Sequence, residues 1–475
     1  MPLSLPLHPA RVLVRRLALS LALFVALGPF VRAALPAEVT DQIAKIARDT
    51  LAATGVPSAS IAVVYEGRIA YSQAFGDAAL EPRRAATPAM RYSIGSVSKQ
   101  FTAAAILLLC DEGKLSLDTP VSRFLPDLTR ASDVTVRQLL THTSGYQDYW
   151  PQDYVPPVML RSTTSPQILD RWARIPLDFE PGTKWQYSNT NYVAAGLIVE
   201  KVSGQPLVAF LQQRIFAPLG MKSVLDIDRS RLDRADASGY LRHALGPPRL
   251  APKEGPGWLF AAAELAMTAE DLARWDLSLL EQKLLRPASY LALTREQLLA
   301  NGASTRYGLG LALAPVSGHR AWSHGGEVSG FVSSNLVLPD DHAAVVVLTN
   351  QDNSSAAGTI ADKIAPLLFQ PSPTATPAVI ARDRAILENL QKGTLDATLL
   401  TENGRSYFTA EAIADFARSL GPLGAPQEFK LSRQSLRGGM TTRVYAIKFA
   451  TKSVQLVLRA MPDGLIEQYQ ISAGE

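Results

Sequence analysis

An α+β fold is the expectation for this chain: one antiparallel sheet assembled from both ends of a long domain, with helices inserted between them. Three observations predict it. Two β-rich runs, Ser58–Tyr65 and 68–76, flank the turn Glu66-Gly67, and two more, Phe331–Leu338 and 343–350, flank Pro339-Asp340-Asp341-His342. Helical stretches and loops fill the interval from Val134 to about Glu281. A segment rich in proline and threonine, Gln370-Pro371-Ser372-Pro373-Thr374-Ala375-Thr376-Pro377, then precedes a second pattern, helices first and strands after.

Taken in order, residues 36–54 read as an amphipathic helix that Gly55-Val56-Pro57 ends. After the first hairpin, an apolar helix carrying Ser96 runs to about Glu112 and stops at Gly113. The late hairpin is followed by a helix at about 354–368. These elements define a domain over 38–368, a linker at 369–378 and a small α+β domain over 379–475. In the small domain, helices are expected at 379–391 and 409–420 and strands at 428–435, 441–450, 453–461 and 465–471. Turns at Gly438-Gly439, Thr451-Lys452 and Pro462-Asp463-Gly464 separate those strands.

Composition bounds the function. The 475 residues are 47% hydrophobic and 19% charged, which is globular, and 47 basic against 43 acidic residues give a net charge of +4. With no basic stripe interleaved with aromatics, a nucleic-acid partner is not expected. Residues 1–33 read as a signal peptide: Arg11, Arg15 and Arg16, then an apolar core from Leu17 to Leu27, then small residues up to Ala33. A periplasmic or secreted location follows, with no stable membrane span after cleavage. Cys110 is the only cysteine, so no internal disulfide forms, and with six histidines in all a zinc site is not expected.

The segment Ser96-Val97-Ser98-Lys99 carries the first chemical signal. Residues three apart share a helix face, so Ser96 and Lys99 stand side by side. A buried Lys gives up its proton more readily and can act as a base toward Ser. A Ser at a helix N-terminus also faces unpaired N–H groups that favour a developing oxyanion. The competing reading is a Ser N-cap with an exposed Lys, because the spacing arises by chance about once in a chain this long.

Three further segments bear on that choice. They are Leu139-Leu140-Thr141-His142-Thr143-Ser144-Gly145-Tyr146, the run Glu180-Pro181-Gly182 to Tyr187-Ser188-Asn189, and Trp322-Ser323-His324-Gly325-Gly326-Glu327. With this ordered set the sequence resembles the serine β-lactamase-like hydrolases, which include class C β-lactamases, D-alanyl-D-alanine carboxypeptidases, related D-amino-acid peptidases and esterases. The resemblance covers roughly residues 38–368 and implies the β-lactamase/transpeptidase-like sheet with flanking helices and an inserted helical region.

By that resemblance Ser96 is the nucleophile, Lys99 lowers its proton affinity, and Tyr187 works with Lys99 as general base and passes a proton to the leaving group. A Tyr187 phenolate beside a Lys99 ammonium is a plausible pairing of opposite charges. Asn189 binds substrate and holds Lys99, while the N–H groups of Ser96 and Glu327 form the oxyanion hole. Gly325 and Gly326 let a substrate lie against the strand without a clash. His142 is expected to bond backbone within its own loop. Tyr146, Trp150 and Tyr154 either line a cleft or pack on the surface.

One departure directs the substrate expectation. Many relatives have Lys-Thr-Gly where this chain has His324-Gly325-Gly326, and a His is largely neutral near pH 7. Binding of a substrate carboxylate is therefore expected to be weaker, and β-lactam hydrolysis is discounted. The absence of a Gly-x-Ser-x-Gly elbow argues against an α/β-hydrolase. The expectation is an exported, esterase-like serine hydrolase that acts on a small ester, amide or peptide through an acyl-enzyme and needs no cofactor. The alternatives are a D-amino-acid peptidase or carboxypeptidase, a weak β-lactamase, or a binding or sensor protein without turnover.

Overall fold

The computed structural model describes residues 35–150, 155–369, 375–437 and 439–473. The expected signal peptide, Tyr154 and residues 370–374 of the expected linker lie outside these residues. The chain divides into two compact units, one ending at Leu368 and one beginning at Phe369.

In the first unit the principal elements are α1 (Ala37–Thr54), β1 (Ser58–Tyr65), β2 (Arg68–Leu80), β3 (Arg83–Ala85), α2 (Ser98–Asp111), α3 (Asn189–Ser203), α4 (Ala269–Glu281), β4 (Trp322–Val328), β5 (Phe331–Leu338), β6 (Ala343–Thr349) and α5 (Ala356–Leu368). The strands form one sheet in the order β3-β2-β1-β6-β5-β4, antiparallel throughout. Pairing of β1 with β6, from Ala59 opposite Thr349 to Tyr65 opposite Ala343, joins the two ends of the unit at the centre of the sheet. Both strands are almost continuously apolar and buried, as strands covered on both faces are. Helices α1 and α5 pack together and α5 packs on the sheet, while α4 packs on β1, β2 and β6.

Helix α2 is the centre of the core. Every residue from Ser98 to Leu109 is buried, because the helix is apolar on nearly all faces and must be enclosed on all of them. Its Phe101 meets Phe216 edge-on, with ring centroids 5.3 Å apart, and tilts against Trp275 at 4.9 Å. Large side chains enclosed in this way contribute about 1.5–3 kcal/mol each, which anchors the helix and whatever its first turn carries.

The second unit has α6 (Pro377–Gln391), α7 (Glu402–Tyr407) and α8 (Ala410–Leu420), followed by β7 (Glu428–Arg437), β8 (Met440–Lys448), β9 (Ser453–Ala460) and β10 (Ile466–Ala473) in a four-stranded antiparallel meander. Its own core includes Ile386, Leu387, Leu390, Tyr445, Leu456 and Tyr469. Helix α7 was not anticipated. It is a six-residue helix without an apolar period, started by the Thr401 hydroxyl on the Gly404 N–H.

Candidate active site

Ser96 lies in a single 3-10 turn, Gly95–Val97, that leads directly into α2. Gly95 has φ +51°, and a Cβ there would lie 2.7 Å from the Glu327 backbone nitrogen. Only glycine therefore lets β4 press against the turn that carries Ser96. This close approach places the backbone of Glu327 beside that of Ser96.

Lys99 is fully buried one turn into the helix. Its Nζ lies 2.9 Å from Ser96 Oγ, 2.7 Å from Asn189 Oδ1 and 2.9 Å from the Ala262 carbonyl. Burial pulls its pKa down to about 7, against the opposing attraction of Asp148. The three partners decide where the proton goes. A neutral amine has two N–H donors and one lone pair. The amide oxygen of Asn189 and the carbonyl of Ala262 can only accept, so they take the two donors. The lone pair is left facing Ser96 Oγ, the one partner with a proton to give.

Asn189 is oriented from the other side. Its Nδ2 donates to both oxygens of Asp148, at 3.1 and 3.2 Å, and its backbone N–H donates to Asp148 Oδ1 at 2.9 Å. Asp148 thus caps the N-terminus of α3 from a neighbouring loop and turns the Asn189 amide oxygen toward Lys99.

Tyr187 is two residues upstream of Asn189, and its phenol lies close enough to Ser96 for the serine to lower its pKa. Its ring centroid is 4.9 Å from Lys99 Nζ. Burial raises the Tyr187 pKa well above the usual phenol value, and the nearby Ser96 offsets this only in part. The expected phenolate is therefore corrected to a neutral phenol. An anion in this enclosed position would need a permanent ammonium beside it, and Lys99 is itself close to neutrality.

The loop holding His142 begins at a short helix, Val136–Leu140, which is capped reciprocally by Thr135 and Gln138. The chain then turns at His142, with φ +58°. His142 does not bond backbone of its own loop through its ring, as the sequence suggested. Its Nδ1 accepts the N–H of Ser188 at 3.2 Å. Tyr146 is buried and donates to the Thr129 carbonyl, so it packs in the core, whereas Trp150 is half-buried against it.

On β4, His324 is buried and its Nδ1 hydrogen-bonds the Gly325 carbonyl, while Nε2 lies 2.9 Å from the Tyr307 hydroxyl. A carbonyl only accepts, so Nδ1 carries the proton and Nε2 accepts from Tyr307. Burial, with Lys99 nearby, lowers the His324 pKa to about 4. The ring is thus neutral, and both of its nitrogens are engaged within the protein.

The two glycines differ. A Cβ at Gly326 would sit 1.9 Å from the Ile94 carbonyl, so packing against the chain before Ser96 excludes any side chain there. A Cβ at Gly325 would meet only the Ser333 carbonyl, at 3.7 Å. The expectation that both glycines serve substrate clearance is corrected for Gly326. Glu327 is exposed, and its carboxylate accepts the Asn353 N–H at 2.6 Å.

The structure thus brings Ser96, Lys99, Tyr187 and Asn189 together, with His324, Gly326 and Glu327 on the adjoining strand. Sequence reasoning missed Asp148, Tyr307 and the Ala262 carbonyl. Asp148 had a weak signal as an acid in the aromatic stretch after Gly145. The Ala262 carbonyl had none, because a backbone acceptor leaves no trace in residue identity.

Comparison with known proteins agrees with this geometry. The β-lactamase family model matches residues 43–368, and the chain belongs to that family. It is a serine hydrolase. It is 29% identical to penicillin-binding protein 4* of Bacillus subtilis over 61% of this chain and 67% of that protein. It is also 29% identical to a D-aminopeptidase of Brucella canis, over 63% of this chain and 57% of the relative's length. Among solved structures, the D-amino acid amidase of Ochrobactrum anthropi SV3 complexed with D-phenylalanine superposes with a TM-score of 0.63 at 25% identity, covering 70% of this chain and 99% of that one. The antiparallel sheet with flanking helices is the fold these proteins share.

Proposed function

We propose that this protein hydrolyses amides of D-amino acids, as free amides or short peptides, through an acyl-enzyme on Ser96. The observation that carries the reading is the set of partners around Lys99, which points its lone pair at Ser96 Oγ. As Oγ bonds to the substrate carbonyl carbon, its proton passes to Lys99, and the carbonyl electron pair moves onto oxygen facing the N–H groups of Ser96 and Glu327. Tyr187 gives its proton to the leaving nitrogen and takes one from Lys99, and the C–N bond breaks. Water then adds to the ester, its proton follows the same route back, and Oγ leaves with a proton restored.

Two considerations favour amides over the esterase-like reading of the sequence. A departing amine must be protonated, and a neutral Tyr187 phenol can supply that proton, whereas a good ester leaving group has little need of it. The relatives named for D-aminopeptidase and D-amino acid amidase activities support the same choice. The uncharged His324 offers no fixed cation for a terminal carboxylate, which favours an aminopeptidase or amidase over a carboxypeptidase. Export, expected from the signal peptide read at residues 1–33, belongs to this proposal and is checked by sequencing the N-terminus of the mature protein.

The test is a panel of D- and L-aminoacyl amides, p-nitrophenyl esters, a D-alanyl-D-alanine peptide and a chromogenic cephalosporin. D-aminoacyl amides should be turned over fastest, and Ser96→Ala should lower that rate by roughly 10³-fold or more. Turnover of esters with no action on amides would restore the esterase reading. An unchanged rate in Ser96→Ala would remove the mechanism.

A further inference from the structure

We propose that His142 is a positioning residue for Tyr187, holding the phenol in register with Ser96 through its backbone carbonyl, its Nδ1 and its ring. The inference rests on the proposed roles of Ser96, Lys99 and Tyr187, and it concerns a residue the reaction scheme does not use.

Three contacts converge on Tyr187 from His142. The His142 carbonyl accepts the Gln186 N–H at 3.0 Å, and His142 Nδ1 accepts the Ser188 N–H at 3.2 Å. Both chain neighbours of Tyr187 therefore hang on one residue. The imidazole also packs against the Tyr187 ring, with centroids 4.3 Å apart and planes tilted by 35°. A ring packed against the imidazole, with N–H bonds to His142 from both chain neighbours, has little freedom to swing its hydroxyl away from Ser96.

The surroundings keep this imidazole neutral. It is fully buried, with Tyr192, Tyr307 and Trp185 around it at centroid distances of 5.3, 5.1 and 6.1 Å. Desolvation, then Lys99, then His324 hold its pKa well below the ordinary histidine value. Because Nδ1 accepts a backbone N–H, the proton sits on Nε2, which is buried and has no hydrogen-bond partner among the described residues. An unsatisfied buried donor costs about 1–3 kcal/mol. The backbone of His142 is in the left-handed region as well, an unfavourable place for a residue with a Cβ. Both costs fall on the residue that grips the phenol.

The role predicts non-additivity. If His142 acts only through Tyr187, its replacement should cost nothing once the phenol is gone. The experiment measures the rate of Ser96 labelling by a fluorophosphonate, together with kcat and KM on the best substrate of the panel. It compares the parent, His142→Phe, Tyr187→Phe and the double variant. His142→Phe keeps a ring but loses the acceptor for Ser188. We expect it to lower labelling and kcat about 10- to 100-fold with KM within about twofold of the parent, and to add less than about twofold in the Tyr187→Phe background.

A parent rate in His142→Phe, or losses that multiply in the double variant, would overturn the proposal. Should His142→Phe fail to fold, His142→Asn retains an acceptor at the Nδ1 position without the ring, and the same cycle is run with it. If neither variant folds, His142 is a folding determinant and the positioning role is rejected. Failure of the parent to be labelled at Ser96 overturns the reaction scheme instead, which separates the two outcomes.

Discussion

Asp148 shows how one unremarked carboxylate sets both the geometry and the proton affinity of the site. It holds the Asn189 amide so that oxygen faces Lys99, and its charge is what opposes desolvation of that amine. Activity that needs neutral Lys99 should rise with pH through about 7. Asp148→Asn removes the attraction that favours the ammonium. The acid limb of kcat/KM should therefore move to lower pH, by up to about one unit. A limb that stays in place, or moves upward, would show that Asp148 does not act on Lys99 by charge. At this scale the site was partly legible. Ser96, Lys99, Tyr187 and Asn189 could be named because their chemistry repeats in an ordered set of motifs. Asp148 and Tyr307 act by orienting other side chains, which depends on contacts across 41 and 17 positions of chain that no local pattern records.

At the scale of elements, the junction of β4 with the turn before α2 is the tightest part of the site. Gly95 and Gly326 are the two places where the strand and the turn touch without side chains. Gly326→Ala would force a methyl group into the Ile94 carbonyl. It should destabilise the protein by about 1–3 kcal/mol and lower activity along with Tm. Gly325→Ala, with ordinary contact distances, should leave Tm unchanged. Equal effects of the two substitutions, measured by thermal melts, would contradict this account. Most elements here were readable in advance: the hairpin partners β1 and β2, and β5 and β6, had both the alternation or apolar runs and the turn residues between them. Strand β4 was harder to see, since its two glycines dilute a β pattern and its pairing depends on β5. Helix α7 was missed because a six-residue helix has too few turns to show a period.

For the whole molecule, a buried polar chain links helices and sheet behind the site. Trp275 Nε1 donates to Gln100 Oε1, Gln100 Nε2 to Asn335 Oδ1, and Asn335 Nδ2 to both oxygens of Asp276. Burial pushes the Asp276 carboxyl up to about 8, and the Asn335 bond only partly restrains it. Between about pH 4 and 8 the unfolded chain has Asp276 ionised while the folded protein keeps it protonated. The folded state binds more protons there, so this group makes stability fall as pH rises across that window. Asp276→Asn mimics the protonated form, and its Tm should fall by several degrees less than the parent's between pH 4 and 8, roughly in line with the size of the shift. Parallel melting curves for the two proteins would refute this. The central pairing of β1 with β6 has another consequence, for the time during which the chain is being made. Ser96 and Lys99 emerge early, but the strand that presses on their turn and the strand that seats the sheet end more than 200 residues later. On the proposed mechanism, a partly synthesised chain can hold Ser96 and Lys99 yet lacks the Glu327 N–H, one of the two donors that would meet the oxyanion. The proposed oxyanion site is therefore complete only once the late strand has docked on the turn that carries Ser96.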